Sequence, residues 1–326
     1  MFYKIFLLIL IITIILLLFF YGDTVESSTD LNFNYDQLYY RNKILETNQV
    51  EDYINDQENI VPHLNPKQRK ELIWFDKPNK TKHVIYYIHG FNGSKNEGRD
   101  VCIELAKDLE ANLLLARLPG NGVFNKENSY KNITFYDHIR TVYEDLILSS
   151  LLGNNIILIG TSTGCTYSII ASTTFTNFNI IKTIFFSPNM GLHLMPSFVY
   201  EILSSGFGKH ILNLASDKFK IDNYITSPQI FLSLSGALKA FQKKRNKFNK
   251  DFIIFISEND EWVSNRNVNY FFQNNNSNIK HYYILKNQTT HRILKLGQNN
   301  FFINKIKTFL NTNKKESLRQ YIKTGV

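Results

Sequence analysis

The chain has 326 residues, 44% of them hydrophobic and seven of them proline, proportions that fit a packed globular protein and exclude a fibrous or low-complexity one. Its formal net charge is +9, but the lysines are scattered. The densest basic run, Lys243-Lys244-Arg245-Asn246-Lys247, is short and has no nucleic-acid-binding motif beside it, so it reads as a solvated helix end and excludes a nucleic-acid partner.

Residues 5–21, IFLLILIITIILLLFFY, form an apolar run broken only by Thr13 and preceded by Lys4. As a helix the run measures about 26 Å at 1.5 Å per residue, close to the ~30 Å hydrocarbon core of a bilayer. Read alone, the sequence predicts an N-terminal transmembrane anchor over residues 1–22. The acidic flank, Asp23, Glu26 and Asp30, places the rest of the chain on the extracytoplasmic side. The alternative is a signal peptide cut after Val25-Glu26-Ser27, which leaves a secreted or periplasmic protein. Residues 23–69 are polar and lack sustained periodicity, and read as a stalk or lead-in.

From residue 70 to 313 short apolar runs alternate with helical patterns. Strands are predicted at 84–88, 112–118, 156–159, 181–186, 252–256 and 282–285. Runs this apolar and this short suit strands buried on both faces. Helices are predicted near 96–110, 135–151, 164–176, 228–245, 265–274 and 297–312. Such alternation implies a mostly parallel central sheet with right-handed crossovers and helices on both faces. The interval between the strands at 181–186 and 252–256 is longer than one helix needs, so 192–227 reads as an inserted helical cap. Residues 314–326 read as a polar C-terminal tail.

Four strand ends carry candidate chemistry. The strand VIYYI ends in His89-Gly90-Phe91-Asn92-Gly93-Ser94, a turn able to aim the Phe91 N–H at a developing oxyanion. His89 belongs to this loop and reads as holding its shape. The strand IILI runs into Gly160-Thr161-Ser162-Thr163-Gly164 and then a helix. The two glycines leave room for a sharp strand-to-helix turn that exposes Ser162, the context of a nucleophile elbow, with Thr163 N–H as a second oxyanion donor. A serine hydroxyl is a weak nucleophile and needs a base within hydrogen-bond reach.

The strand FIIFI is followed by Ser257-Glu258-Asn259-Asp260-Glu261. Asp260 has the spacing of an orienting acid, Glu258 is its rival, and a solvated acidic loop is the alternative. After the last predicted strand comes Gln288-Thr289-Thr290-His291-Arg292, which places His291 in a loop and completes the order Ser, Asp, His. His281 is the rival base, but it stands at the opposite end of its strand. Cys102 and Cys165 have no zinc-like spacing, and nothing points to a metal or an organic cofactor.

In order, spacing and strand context, HGFNGS, GTSTG, ENDEWV and TTHR resemble the α/β-hydrolase superfamily over roughly residues 70–312. Ala116-Arg117-Leu118-Pro119-Gly120-Asn121-Gly122 is similar to the R-L-x-G-H-G segment of bacterial carboxylesterase- and monoacylglycerol-lipase-like members, with Asn121 where they have His. Ser187-Pro188-Asn189 resembles their S-P-N segment. The resemblance implies the α/β-hydrolase fold, a Ser162–His291–Asp260 triad and an oxyanion hole at Phe91 and Thr163. The implied activity is hydrolysis of carboxylic acyl esters, lipid-derived ones among them, without a cofactor. A serine peptidase or thioesterase on the same triad, or a catalytically silent binding protein, are the alternatives.

Overall fold

The computed structural model describes residues 2–20, 46–124, 130, 132–193, 219–221, 224–226 and 229–323. Helix α1 (Phe2–Phe20) is the apolar N-terminal run. Among the described residues no helix is long and apolar enough to cross a membrane. This overturns the transmembrane anchor over residues 1–22, and with it the membrane partner and the extracytoplasmic placement that rest on it.

Helix α2 (Val50–Asn59) follows. Val50, Tyr53 and Ile54, spaced to share one helix face, are buried in the main core. Glu58 closes the helix with a two-pronged ion pair to Arg117, at 2.7 and 2.8 Å. Part of the stretch read as a polar lead-in is therefore packed structure. One helical turn of apolar positions is too short for periodicity to reveal.

The remaining elements alternate as the apolar pattern demands. They are β1 (Glu71–Ile73), β2 (Thr81–Ile88), α3 (Arg99–Asp108), β3 (Asn112–Leu115), α4 (Phe135–Leu152), β4 (Gly153–Thr161), α5 (Thr163–Thr174) and β5 (Ile180–Phe186). Next come the two short strands β6 (Phe219–Ile221) and β7 (Tyr224–Thr226), then α6 (Gln229–Lys244), β8 (Asp251–Ser257), α7 (Asn265–Asn274), β9 (Ile279–Lys286), α8 (Asn299–Asn311) and β10 (Glu316–Lys323). Eight strands form one sheet in the order β1-β3-β2-β4-β5-β8-β9-β10. Only β1 runs antiparallel to its neighbour.

Each face of the sheet has its own core. Tyr86, Leu158, Phe185 and Ile254 face α4, α5 and α6 with Phe135, Ile169 and Phe241. Ile85, Ile159, Phe186 and Phe255 face α3 and α8 with Leu105, Phe302 and Ile306. Residues 316–323, read as a tail, form the parallel edge strand β10. Leu318 and Ile322 pack on the second core while Arg319 and Tyr321 stay exposed. Gln320 interrupts that apolar alternation, and flanking lysines disguise it further. Of the cap predicted over 192–227, Leu192, His193 and the antiparallel β6–β7 hairpin lie within the described residues; the rest lies outside them.

A parallel sheet sends the C-terminal ends of its strands to one edge, where the loops after β2, β4, β8 and β9 gather. Every residue singled out as a site candidate apart from His281 lies on those loops or at their junction with a helix.

Candidate active site

The turn from β4 into α5 is tight enough to dictate its residues. Ser162 adopts φ +52° and ψ −117°, a conformation strained for a residue with a side chain. A Cβ on Gly160 would lie 2.6 Å from Cys165 N, and one on Gly164 would lie 2.0 Å from Ile88 O. Neither position admits any other residue without moving backbone. Three backbone bonds hold the strained residue: Ser162 N–H donates to Phe186 O at 2.8 Å, while Ser162 O accepts from Cys165 N and Asn189 N, both at 3.0 Å.

The hydroxyl so presented meets His291. Ser162 Oγ lies 2.8 Å from His291 Nε2, and His291 Nδ1 lies 2.9 Å from Asp260 Oδ2 and 3.0 Å from Oδ1. Asp260 Oδ1 also accepts the Trp262 and Val263 N–H groups at 2.9 and 3.0 Å. A carboxylate so placed only accepts, so the Nδ1 proton faces Asp260 and the bare Nε2 faces the serine. The loops that bear Asp260 and His291 are stitched together: Asn259 N donates to Gln288 O, Glu261 N to Thr289 O, and Ser257 Oγ to Thr290 O.

The rival residues have other partners. Glu258 accepts the Asn287 N–H at 3.1 Å, and His281 lies 3.2 Å from Glu316 on β10. Phe91 and Thr163 both border Ser162, and among the described residues neither amide N–H donates to a protein acceptor. That is unusual for Thr163, which is only 3% exposed. Its side chain is pinned by Asn189, whose Nδ2 donates to Thr163 Oγ1 at 3.2 Å. Asn189 thus holds both the serine and its neighbour, a role that the S-P-N likeness marks as a segment but does not explain.

His89 is fully buried. Its Nδ1–H donates to Gly90 O at 2.9 Å, and its Nε2 accepts the Leu118 N–H at 3.1 Å. Burial holds its pKa down at about 4, so the ring is neutral and ties the loop after β2 to the Arg117–Gly122 segment. His138 grips that segment from the other side: Nε2–H donates to Pro119 O at 3.0 Å, and Nδ1 accepts Tyr167 and Ser233 hydroxyls at 2.7 and 3.2 Å. Nothing in the sequence distinguishes His138 from any other helical histidine.

Ser162 and His291 open into a cavity of about 330 Å³, walled by Phe91, Leu192, Phe231, Leu234, Trp262 and Ile293. Glu97 lines it too. Among the described residues no group of three His, Cys, Asp or Glu side chains is placed to hold a metal.

No family model matches the sequence, and no curated protein matches it. Solved structures do match by shape. One of the metagenome-derived lipolytic enzymes LipS and LipT aligns with a TM-score of 0.62 at 13% identity, covering 77% of this chain and all of its own. Est1E from Butyrivibrio proteoclasticus, with ferulic acid bound, aligns at 0.57 and 16% identity over 74% of this chain and 93% of its own. The monoacylglycerol lipase of Paleococcus ferrophilus aligns at 0.56 and 13% identity over 74% and 98%. The chain has the α/β-hydrolase fold.

Proposed function

We propose that this chain is a serine hydrolase that cleaves carboxylic acyl esters, with Ser162 as nucleophile, His291 as base and Asp260 as orienting acid. The observation that carries the reading is the relay from Ser162 Oγ to His291 Nε2 at 2.8 Å and from His291 Nδ1 to Asp260 at 2.9 Å, opening into an apolar cavity. The shape shared with lipolytic enzymes and esterases supports it.

In the reaction Ser162 Oγ attacks the ester carbonyl carbon as His291 Nε2 takes the hydroxyl proton. Asp260 stabilises the resulting imidazolium and keeps the ring in its tautomer. The carbonyl oxygen becomes an oxyanion on the Phe91 and Thr163 amides. Collapse breaks the C–O bond to the alcohol, which takes the proton from His291. Water, activated by the same histidine, then releases the acid from the acyl-enzyme. The apolar wall fits the acyl chain, and lipid-derived esters fall within its reach.

The test is covalent labelling by a fluorophosphonate probe, followed by hydrolysis of p-nitrophenyl esters of increasing chain length. The wild type is expected to label and Ser162→Ala to lose all labelling. A folded wild type that does not label defeats the proposal.

A further inference from the structure

Glu97 stands in the cavity, yet the relay makes no use of it. It ends a short helical turn after the loop that carries Phe91, and its Oε2 accepts the Gly90 N–H at 3.2 Å. The carboxyl fills the hollow of the Gly90–Gly93 turn, which Gly93 N–H closes on Gly90 O at 3.0 Å. A Cβ on Gly93 would lie 2.8 Å from Glu97 Oε2, so the glycine makes room for the acid. Behind it, a Cβ on Gly98 would lie 2.5 Å from the Tyr87 ring, and Tyr87 OH meets Thr161 Oγ1 at 3.0 Å. The helical turn is thereby seated against β2 and β4.

A peptide unit is planar and trans, so the Gly90 C=O and the Phe91 N–H point in opposite directions from one plane. The carbonyl end of that plane is fixed by two donors, Gly93 N–H and His89 Nδ1–H. The other side of Gly90, its own N–H, donates to Glu97, its one acceptor among the described residues. With both ends of Gly90 held, the Phe91 N–H has one direction left.

We infer that Glu97 is a positioning residue for the oxyanion loop: by accepting the Gly90 N–H it holds the Phe91 amide in line with the ester oxygen. The inference rests on the hydrolase reading above. It assigns Glu97 no contact with the reacting atoms. Burial pushes the Glu97 carboxyl above the usual carboxylate range, which suits an acceptor set beside a developing negative charge.

The experiment compares Glu97→Ala and Glu97→Gln with the wild type for ester kcat and KM, fluorophosphonate labelling rate and thermal unfolding. Losing one oxyanion donor costs about 10²–10³ in kcat, and misaiming one costs less. Glu97→Ala is expected to lower kcat and labelling rate about 10- to 100-fold with KM nearly unchanged. Glu97→Gln keeps an acceptor oxygen of the same reach and is expected to stay within about fivefold of the wild type. A wild type that labels alongside an unimpaired Glu97→Ala overturns the inference alone. So does a loss confined to KM, or a Gln variant as impaired as the Ala variant. If Glu97→Ala fails to fold, the Gln comparison decides. A wild type that never labels overturns the hydrolase reading and this inference together.

Discussion

Ser162 pays for its presentation to the cavity in backbone strain. Its φ of +52° belongs to glycine, and a side chain there costs on the order of 1–3 kcal/mol. Replacing it by Ala removes the hydroxyl but keeps the strain; replacing it by Gly removes both. Ser162→Gly is therefore expected to be about 1 kcal/mol more stable than Ser162→Ala in urea unfolding, although both lose labelling. Equal midpoints would mean that the turn is relaxed. At this scale the placement of the candidate residues was legible wherever one sat in a punctuated context: glycines around Ser162, a strand end before Asp260, a loop past the last predicted strand for His291. The contacts of Glu97, Asn189 and His138 were not legible, because each is made to groups that only the fold brings close, and no spacing along the chain encodes that.

Among the elements, the buried strands and the six helices α3 to α8 followed from apolar runs and periodicity, since burial on both faces leaves few polar interruptions. Elements with one thin apolar edge escaped: α2 shows a single turn of buried positions, and β10 only Leu318 and Ile322. Tertiary caps escaped for the same reason. Lys182, on β5, reaches the C-terminus of α8, where its Nζ donates to Phe309 O, Leu310 O and Thr312 O at 2.8, 3.0 and 3.0 Å. A cation there satisfies carbonyls that the helix leaves unpaired and complements its dipole. Lys182→Met is expected to cost about 2 kcal/mol in urea unfolding, with Lys182→Arg recovering part of it. An unchanged midpoint for Lys182→Met would show that water serves those carbonyls equally well.

Over the whole molecule, alternation of strands and helices was enough to anticipate the parallel sheet, whereas the apolar N-terminus led to an anchor that the described residues do not support. The sheet edge brings together a further property that no segment shows by itself: sensitivity to acid through buried neutral histidines. Burial holds His89 and His138 at a pKa of about 4, against an ordinary value of 6.5. Both use one ring nitrogen as acceptor, for Leu118 N–H and for the Tyr167 and Ser233 hydroxyls. The unfolded chain takes up these protons as pH falls through 6.5, while the folded chain resists until about 4. Unfolding therefore binds protons in that window, and stability falls as pH falls. The loss between pH 7 and 5 is about 2 kcal/mol for each histidine. His83 and His281, also lowered by burial, act in the same direction. The Glu97 carboxyl, raised by burial, acts oppositely, since its cost is relieved as it protonates. Urea unfolding at pH 7 and pH 5 is expected to show the wild type losing stability, and His138→Gln, which has no proton to gain, losing about 2 kcal/mol less. A His138→Gln variant with the same pH dependence as the wild type would place the acid sensitivity elsewhere.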